Sequence, residues 1–334
     1  MLSIEELEML NPTELGEILI KEVERDSPNL RHIHNLARVG CPMTYQNEEG
    51  KTPLHLASKA SPLAVVESLV CEGADVNFRS SRGSTALHVA ACEGRVDVMR
   101  FLLSQGAIVN IQMKNGATPL HCASGNGHLA TVKILVSHEA DVNIQMDNGA
   151  TPLHYAAGNG HLAAATFLVS QGAGVNIQMD NGATPLHCAA GNGHLTAVTF
   201  LVSEGADIHV EMCNGHTPIV AAAWRDHLDV IEYLFEVKAA RNGWEGSEGV
   251  FIEPLDPAFE LRDVEILMPH NGHQYPVIYY DLYYHEEIVD QLSRRFDFAQ
   301  AHVMIYEQDG FGNQGNPIAI IYVQNFMNGA LVAQ

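Results

Sequence analysis

The chain has 334 residues, 40 of them Asp or Glu against 18 Lys or Arg, for a formal net charge of -22. Binders of DNA, RNA and anionic lipid surfaces cluster Lys and Arg, so nucleic acid and membranes are not expected partners. With 46% apolar and 17% charged residues, the chain carries the material of a folded core, unlike a disordered acidic polymer. Six scattered cysteines contain no CxxC pair, which points to thiols in a cytoplasmic or other reducing intracellular compartment. The start, MLSIEELEMLNP, is acidic where a secretory leader would be basic, and no apolar run reaches the roughly eighteen residues of a membrane span.

In chain order, residues 1–46 read as a helical N-terminal cap ending at Gly40, followed by a strict period over 47–244. Threonine recurs at Thr52, Thr85, Thr118, Thr151, Thr184 and Thr217, and glycine at Gly50, Gly83, Gly116, Gly149, Gly182 and Gly215. Each residue lies 33 positions after the last, and fixed periods of this size mark stacked repeats. The unit 179–209 shows the local logic. Asp180-Asn181-Gly182 is a turn sequence suited to a hairpin tip, Thr184 is an N-cap, and Pro185 fills the first helical position, where its missing N–H costs nothing. A short helix over 186–190 is broken by Gly191-Asn192-Gly193. A second, from His194 to about Glu204, carries Leu195, Val198, Leu201 and Val202 at helical spacing before Gly205 stops it.

The TPLH or TALH signature, the GHL inner turn and the closing GADVN together resemble the ankyrin-repeat family. The resemblance implies a mainly α solenoid of about six repeats with an N-terminal cap, each repeat too small to bury its faces alone. It also implies a function in binding a protein partner through hairpin tips and first helices. On this chain those positions include Arg82, Lys114, Asn115, Asp147, Asn148, Asp180, Asn181 and Asn214 at the tips, with Asn126, Asn159, Asn192, Trp224 and Arg225 on the helix side. The centre is rich in Gly, Asn and Ala, whereas binding hot spots favour Trp, Tyr and Arg, so Trp224 and Arg225 are the expected anchors, unless Trp224 packs on the C-terminal region instead. Asn77, Asn110, Asn143 and Asn176 read first as asparagines that stabilise the hairpins, and the family resemblance further implies that such asparagines can be hydroxylated by an animal-cell asparaginyl hydroxylase.

The repeated histidines, His55, His88, His121, His154 and His187 in the signature and His128, His161, His194 and His227 at the second helix, recur one per unit. Metal ligands would have to converge, so no metal site or cofactor is expected. Cys122 and Cys188 follow His121 and His187 directly, and neighbours on a helix point about 100° apart, which disfavours a nucleophile–base pair and favours core cysteines. Met113, Met146, Met179 and Met212 keep the same spacing and are expected to pack between tips.

After Trp244 the period ends. Residues 245–334 hold fourteen acidic and three basic residues, so this segment and 1–244 each contribute -11 to the net charge. A basic partner surface is therefore expected to be drawn to the C-terminal end. The tail reads as an α+β module, with an aromatic β-prone run over 275–284, a helix over 285–296, and strands over 301–306 and 318–323 around DGFGNQGNP. His302 followed by Asn325 weakly resembles the order found in some cysteine peptidases and acyltransferases, but no cysteine follows Cys213 to complete a triad. Repeats joined to an unrelated module also resemble effectors that intracellular bacteria deliver into the host cytosol, which would make the tail a catalytic module cut within a larger domain. An adaptor without enzymatic activity is the leading expectation.

Overall fold

The computed structural model describes residues 3–225 and 227–241, together with the backbone of five strands beyond them. Three helices come first, α1 (Ile4–Glu8), α2 (Pro12–Val23) and α3 (Leu30–Arg38). Six pairs follow: α4 (Pro53–Ala60) with α5 (Leu63–Cys71), α6 (Ala86–Cys92) with α7 (Val96–Ser104), α8 (Pro119–Gly125) with α9 (Leu129–Ser137), α10 (Pro152–Gly158) with α11 (Leu162–Ser170), α12 (Pro185–Gly191) with α13 (Leu195–Ser203), and α14 (Pro218–Ala223) with α15 (Leu228–Arg241). The strands are β1 (Gly249–Pro254), β2 (Val264–Ile266), β3 (Ile278–Tyr280), β4 (Gln300–Gln308) and β5 (Gln314–Gln324). The chain divides into two units, one running to Ala189 and resuming over Thr196–Ala206, the other taking Ala190–Leu195 and the chain from Asp207.

In the first unit, first helices stack on first helices and second on second: α4, α6, α8 and α10 form one row and α5, α7, α9 and α11 the other. The row closes on α2 and α3, which cover α4 and α5. Leu54, Leu87, Leu120 and Leu153, one residue before each signature histidine, are buried, as are Val66, Met99, Val132 and Ala165 of the second row. Burying one leucine fully is worth about 1.5–3 kcal/mol, which is how units too short to fold alone hold together. The start of the chain is tied locally: Ser3 with Glu6 and Asn11 with Glu14 form capping boxes, and the buried Glu22 carboxylate accepts from the Asn29 N–H and pairs with Arg25.

The tips are turns and not strands. Each is closed by a pair of main-chain bonds, as in Met113 N–H to Ala117 C=O at 2.7 Å and Gly116 N–H to Met113 C=O at 3.0 Å. Successive tips are also laced together, because Lys114, Asp147 and Asp180 donate their N–H to the carbonyls of Arg82, Asn115 and Asn148. Gly116 has φ +81°, and a β-carbon there would meet Met146 Cα at 2.7 Å, so glycine is needed both for the turn and for the approach of the next tip. Beneath the tips Met146 is buried with Ala117 and Ala150, and Met113 and Met179 pack against them, as the spacing predicts.

In the second unit α14 packs on α15. The β-carbon that Gly193 lacks would collide with the His227 ring at 2.5 Å, so this glycine seats the following repeat's histidine. The strands form an antiparallel sheet of order β1-β5-β4 and an antiparallel β2-β3 pair. His302 lies in β4, opposite Tyr322 of β5 in the register. Asn325 and the helix expected over 285–296 lie outside the described residues.

Candidate partner-binding surface

The signature histidines are consumed by the stack. In the third repeat the His121 Nδ1 faces both the Thr118 N–H at 3.2 Å and the Thr118 hydroxyl at 2.9 Å, while Nε2 lies 3.0 Å from the Ala150 carbonyl of the next repeat. Since Nδ1 accepts from a backbone N–H, the proton sits on Nε2, which donates across the repeat boundary. The same arrangement recurs at His55, His88 and His154. Burial, only partly offset by the carbonyl bond, holds His88, His121 and His154 down to about 4, so they are neutral near pH 7. With both nitrogens engaged they are neither ligands nor bases, and among the described residues no cluster of three His, Cys, Asp or Glu could hold a metal ion.

His128 and His161 reach backwards, with Nε2 2.9 Å from the Cys92 carbonyl and 3.0 Å from the Gly125 carbonyl, the ends of first helices in the preceding repeats. The closing asparagines reach forwards. Asn143 donates to the Gly172 carbonyl at 3.0 Å and accepts the Gly174 N–H at 2.8 Å, and Asn77 and Asn110 make the same two bonds one repeat apart each. Asn176 donates to the Gly205 carbonyl. The four positions proposed for hydroxylation are thus staples between loops, and none is buried.

The sequence-predicted surface lies on the solvent side of the stack. Arg82, Lys114, Asn115, Asp147, Asn148, Asp180, Asn181 and Asn214 are all exposed at the tips. From the second repeat to the fifth, after a first tip that carries Glu48 and Glu49, the tips pass from basic Arg82 and Lys114 to acidic Asp147 and Asp180. Asn126 and Asn159 are exposed where their first helices end, each bonded to a nearby carbonyl, Asn126 to that of Cys122 and Asn159 to that of Gly125. In the second unit Trp224 is 39% exposed with its ring stacked on His216 at 5.5 Å, and the Arg225 guanidinium donates to Asn192 at 2.5 Å.

One exposed aromatic residue lies outside the sequence-predicted set. Tyr155 is 37% exposed and stands edge-on to the His121 ring at 6.0 Å, forming a wall of a pocket of about 330 Å³ with Asn115, Cys122, Asn126 and Asn159 on its other sides. The centre, rich in Gly, Asn and Ala, thus carries one exposed aromatic ring at this point. The signal lies in the sequence: units 146–178 and 179–211 agree at 24 of 33 positions, and Tyr155 against Cys188 is among the few differences. Cys122 and Cys188 are half-buried along this helix face, where fully buried core cysteines were expected. Burial pushes the Cys188 thiol up to about 11, far from a nucleophile's range.

Residues 23–113, 108–179 and 169–242 match three copies of the family model for ankyrin repeats, well over half of the chain. The chain belongs to the ankyrin-repeat family. No curated protein matches it. No helix among the described residues is long and apolar enough to cross a membrane.

Proposed function

We propose that this chain is a protein-binding adaptor whose partner lies along the tips and first helices of the repeats, with a partner side chain seated against Tyr155. The observation that carries this reading is the separation of labour within each helix. Histidine, leucine and threonine are spent on stacking, while the residue after each histidine faces outwards and differs between repeats. An open pocket walled by an aromatic ring is the kind of place where binding energy concentrates. The basic-to-acidic change along the tips fits a partner with opposite polarity, its basic part meeting Asp147 and Asp180. We place its action in a reducing intracellular compartment, in keeping with its free thiols, where Asn143 and its equivalents are accessible to a hydroxylase.

The test is affinity capture with the full chain, followed by identification of cross-linked residues and comparison with a Tyr155→Ala, Asp147→Lys, Asp180→Lys variant. The reading expects cross-links at the tips and first helices and at least a tenfold weaker capture by the variant. Equal capture by a variant of unchanged stability would reject this surface. Capture that survives in residues 1–241 alone assigns the partner to the repeats, and capture that requires residues 245–334 removes that assignment.

A further inference from the structure

Two half-buried thiols, Cys92 and Cys122, line the Tyr155 pocket from adjacent first helices, and the stack uses neither sulfur. Their separation can be read from the repeat itself. Adding 33 or 99 residues to Cys92 gives Gly125 and Gly191, and adding the same to Cys122 gives Tyr155 and Ala221. A β-carbon at Gly125 lies 3.5 Å from Tyr155 Cβ, and one at Gly191 lies 3.6 Å from Ala221 Cβ. Disulfides join β-carbons about 3.5–4.5 Å apart. In two separate places, therefore, the repeat holds this pair of positions at bonding distance, and only at 92 and 122 are both of them cysteine. Cys188, by the same register, stands opposite Gly158.

We propose that Cys92 and Cys122 are a peroxide-responsive dithiol that closes to a disulfide between the second and third repeats. The Cys122 thiol beside it holds the Cys92 thiol below its ordinary range against the opposing effect of burial, while the same contact and burial hold Cys122 well above its own. In this scheme Cys92 is the attacking sulfur and Cys122 the resolving one. Its thiolate takes the terminal oxygen of hydrogen peroxide, the O–O bond breaks, and the released hydroxide picks up a proton to leave as water, giving a sulfenic acid. The Cys122 sulfur then attacks the Cys92 sulfur, the S–S bond forms as the S–O bond breaks, and the departing hydroxide leaves as water with the Cys122 proton. One peroxide is reduced to two waters and two thiols are oxidised to one disulfide. A dithiol reductant reverses the step by exchange. Such bonds in reducing compartments are characteristically transient and redox-sensing. The bond would tie α6 to α8 beside Tyr155.

The experiment treats the full chain, natively folded, with one equivalent of hydrogen peroxide, alkylates the remaining thiols and maps peptides by mass. The expected product is a monomer two hydrogens lighter, with the Cys92 and Cys122 peptides joined, four of the six thiols alkylated, and the link removed by dithiothreitol. Cys71 and Cys213 are exposed and compete for oxidant, so a Cys71→Ser, Cys213→Ser chain, altered only at the surface, should give the same link. In Cys122→Ser the reaction should stop at Cys92 sulfenic acid, trapped by a cyclic 1,3-diketone. Full alkylation of Cys92 and Cys122 after oxidation of the exposed thiols would overturn the proposal. So would Cys92 sulfinic acid without a cross-link in the Cys71→Ser, Cys213→Ser chain.

Discussion

Consecutive residues on the same short helices have opposite fates. The signature histidine is the same in five repeats and makes the same bonds, to its own N-cap threonine and, wherever its Nε2 partner is described, to the next repeat's carbonyl. The residue after it is Leu56, Val89, Cys122, Tyr155 and Cys188 in turn, and none of these is buried. One position sets the spacing of the stack, so it is fixed by hydrogen-bond geometry. The next faces outward about 100° away around the helix, so it is free to vary and to bind. Chemical identity thus accompanies stacking, and under the proposed function recognition falls to what differs.

This contrast is easiest to break at position 121. His121→Ala removes a buried ring and strands the Thr118 N–H and the Ala150 carbonyl, and should cost on the order of 3 kcal/mol in denaturant unfolding. Cys122→Ala beside it should cost about 1 kcal/mol or less. Equal losses at the two positions would end the division of labour.

Acid should act on the same ladder. For His88, His121 and His154 the folded value of about 4 lies below the ordinary value of about 6.5, so the unfolded chain takes up protons first. Their contribution to stability is complete above about pH 6.5 and is lost as the pH falls toward about 4, with about 2 kcal/mol gone per histidine by pH 5. Urea midpoints measured between pH 7.5 and 5 should fall steadily, and His→Gln at one of the three should flatten that slope.

Smaller effects sharpen the role of the loops. Asn143→Ala removes two bonds at a partly exposed staple and should lower stability by about 1 kcal/mol, seen as a shift in thermal midpoint. Glu139 has φ +67° where the other repeats place Gly106, Gly172 and Gly205, so its side chain holds a backbone conformation that glycine adopts freely. Those glycines meet nothing within 4 Å, so Glu139→Gly relieves the strain at no packing cost and should raise stability by up to about 1 kcal/mol.

Most of the repeat was legible before the structure because its determinants are local. The Thr-Pro start, the Gly at each tip and the glycine before each second-helix histidine act within a few residues of themselves. The Met113, Met146 and Met179 row was legible too, since equal spacing in a stack becomes equal depth. The pocket was not, because Tyr155 meets His121 only through the spacing between first helices of successive repeats. Reading the centre by composition averaged one tyrosine into many alanines and glycines. The closeness of Cys92 and Cys122 was hidden in the same way, since a separation of 30 residues means nothing until the register of α6 on α8 is known.

The claim that outward positions bind while inward ones hold the stack is tested most directly by titrating a captured partner into the intact chain and into Tyr155→Ala, with thermal midpoints recorded on the same samples. The account predicts an unchanged midpoint and at least a tenfold weaker affinity for the variant. An unchanged affinity, or a loss of affinity that only follows a loss of stability, would contradict it.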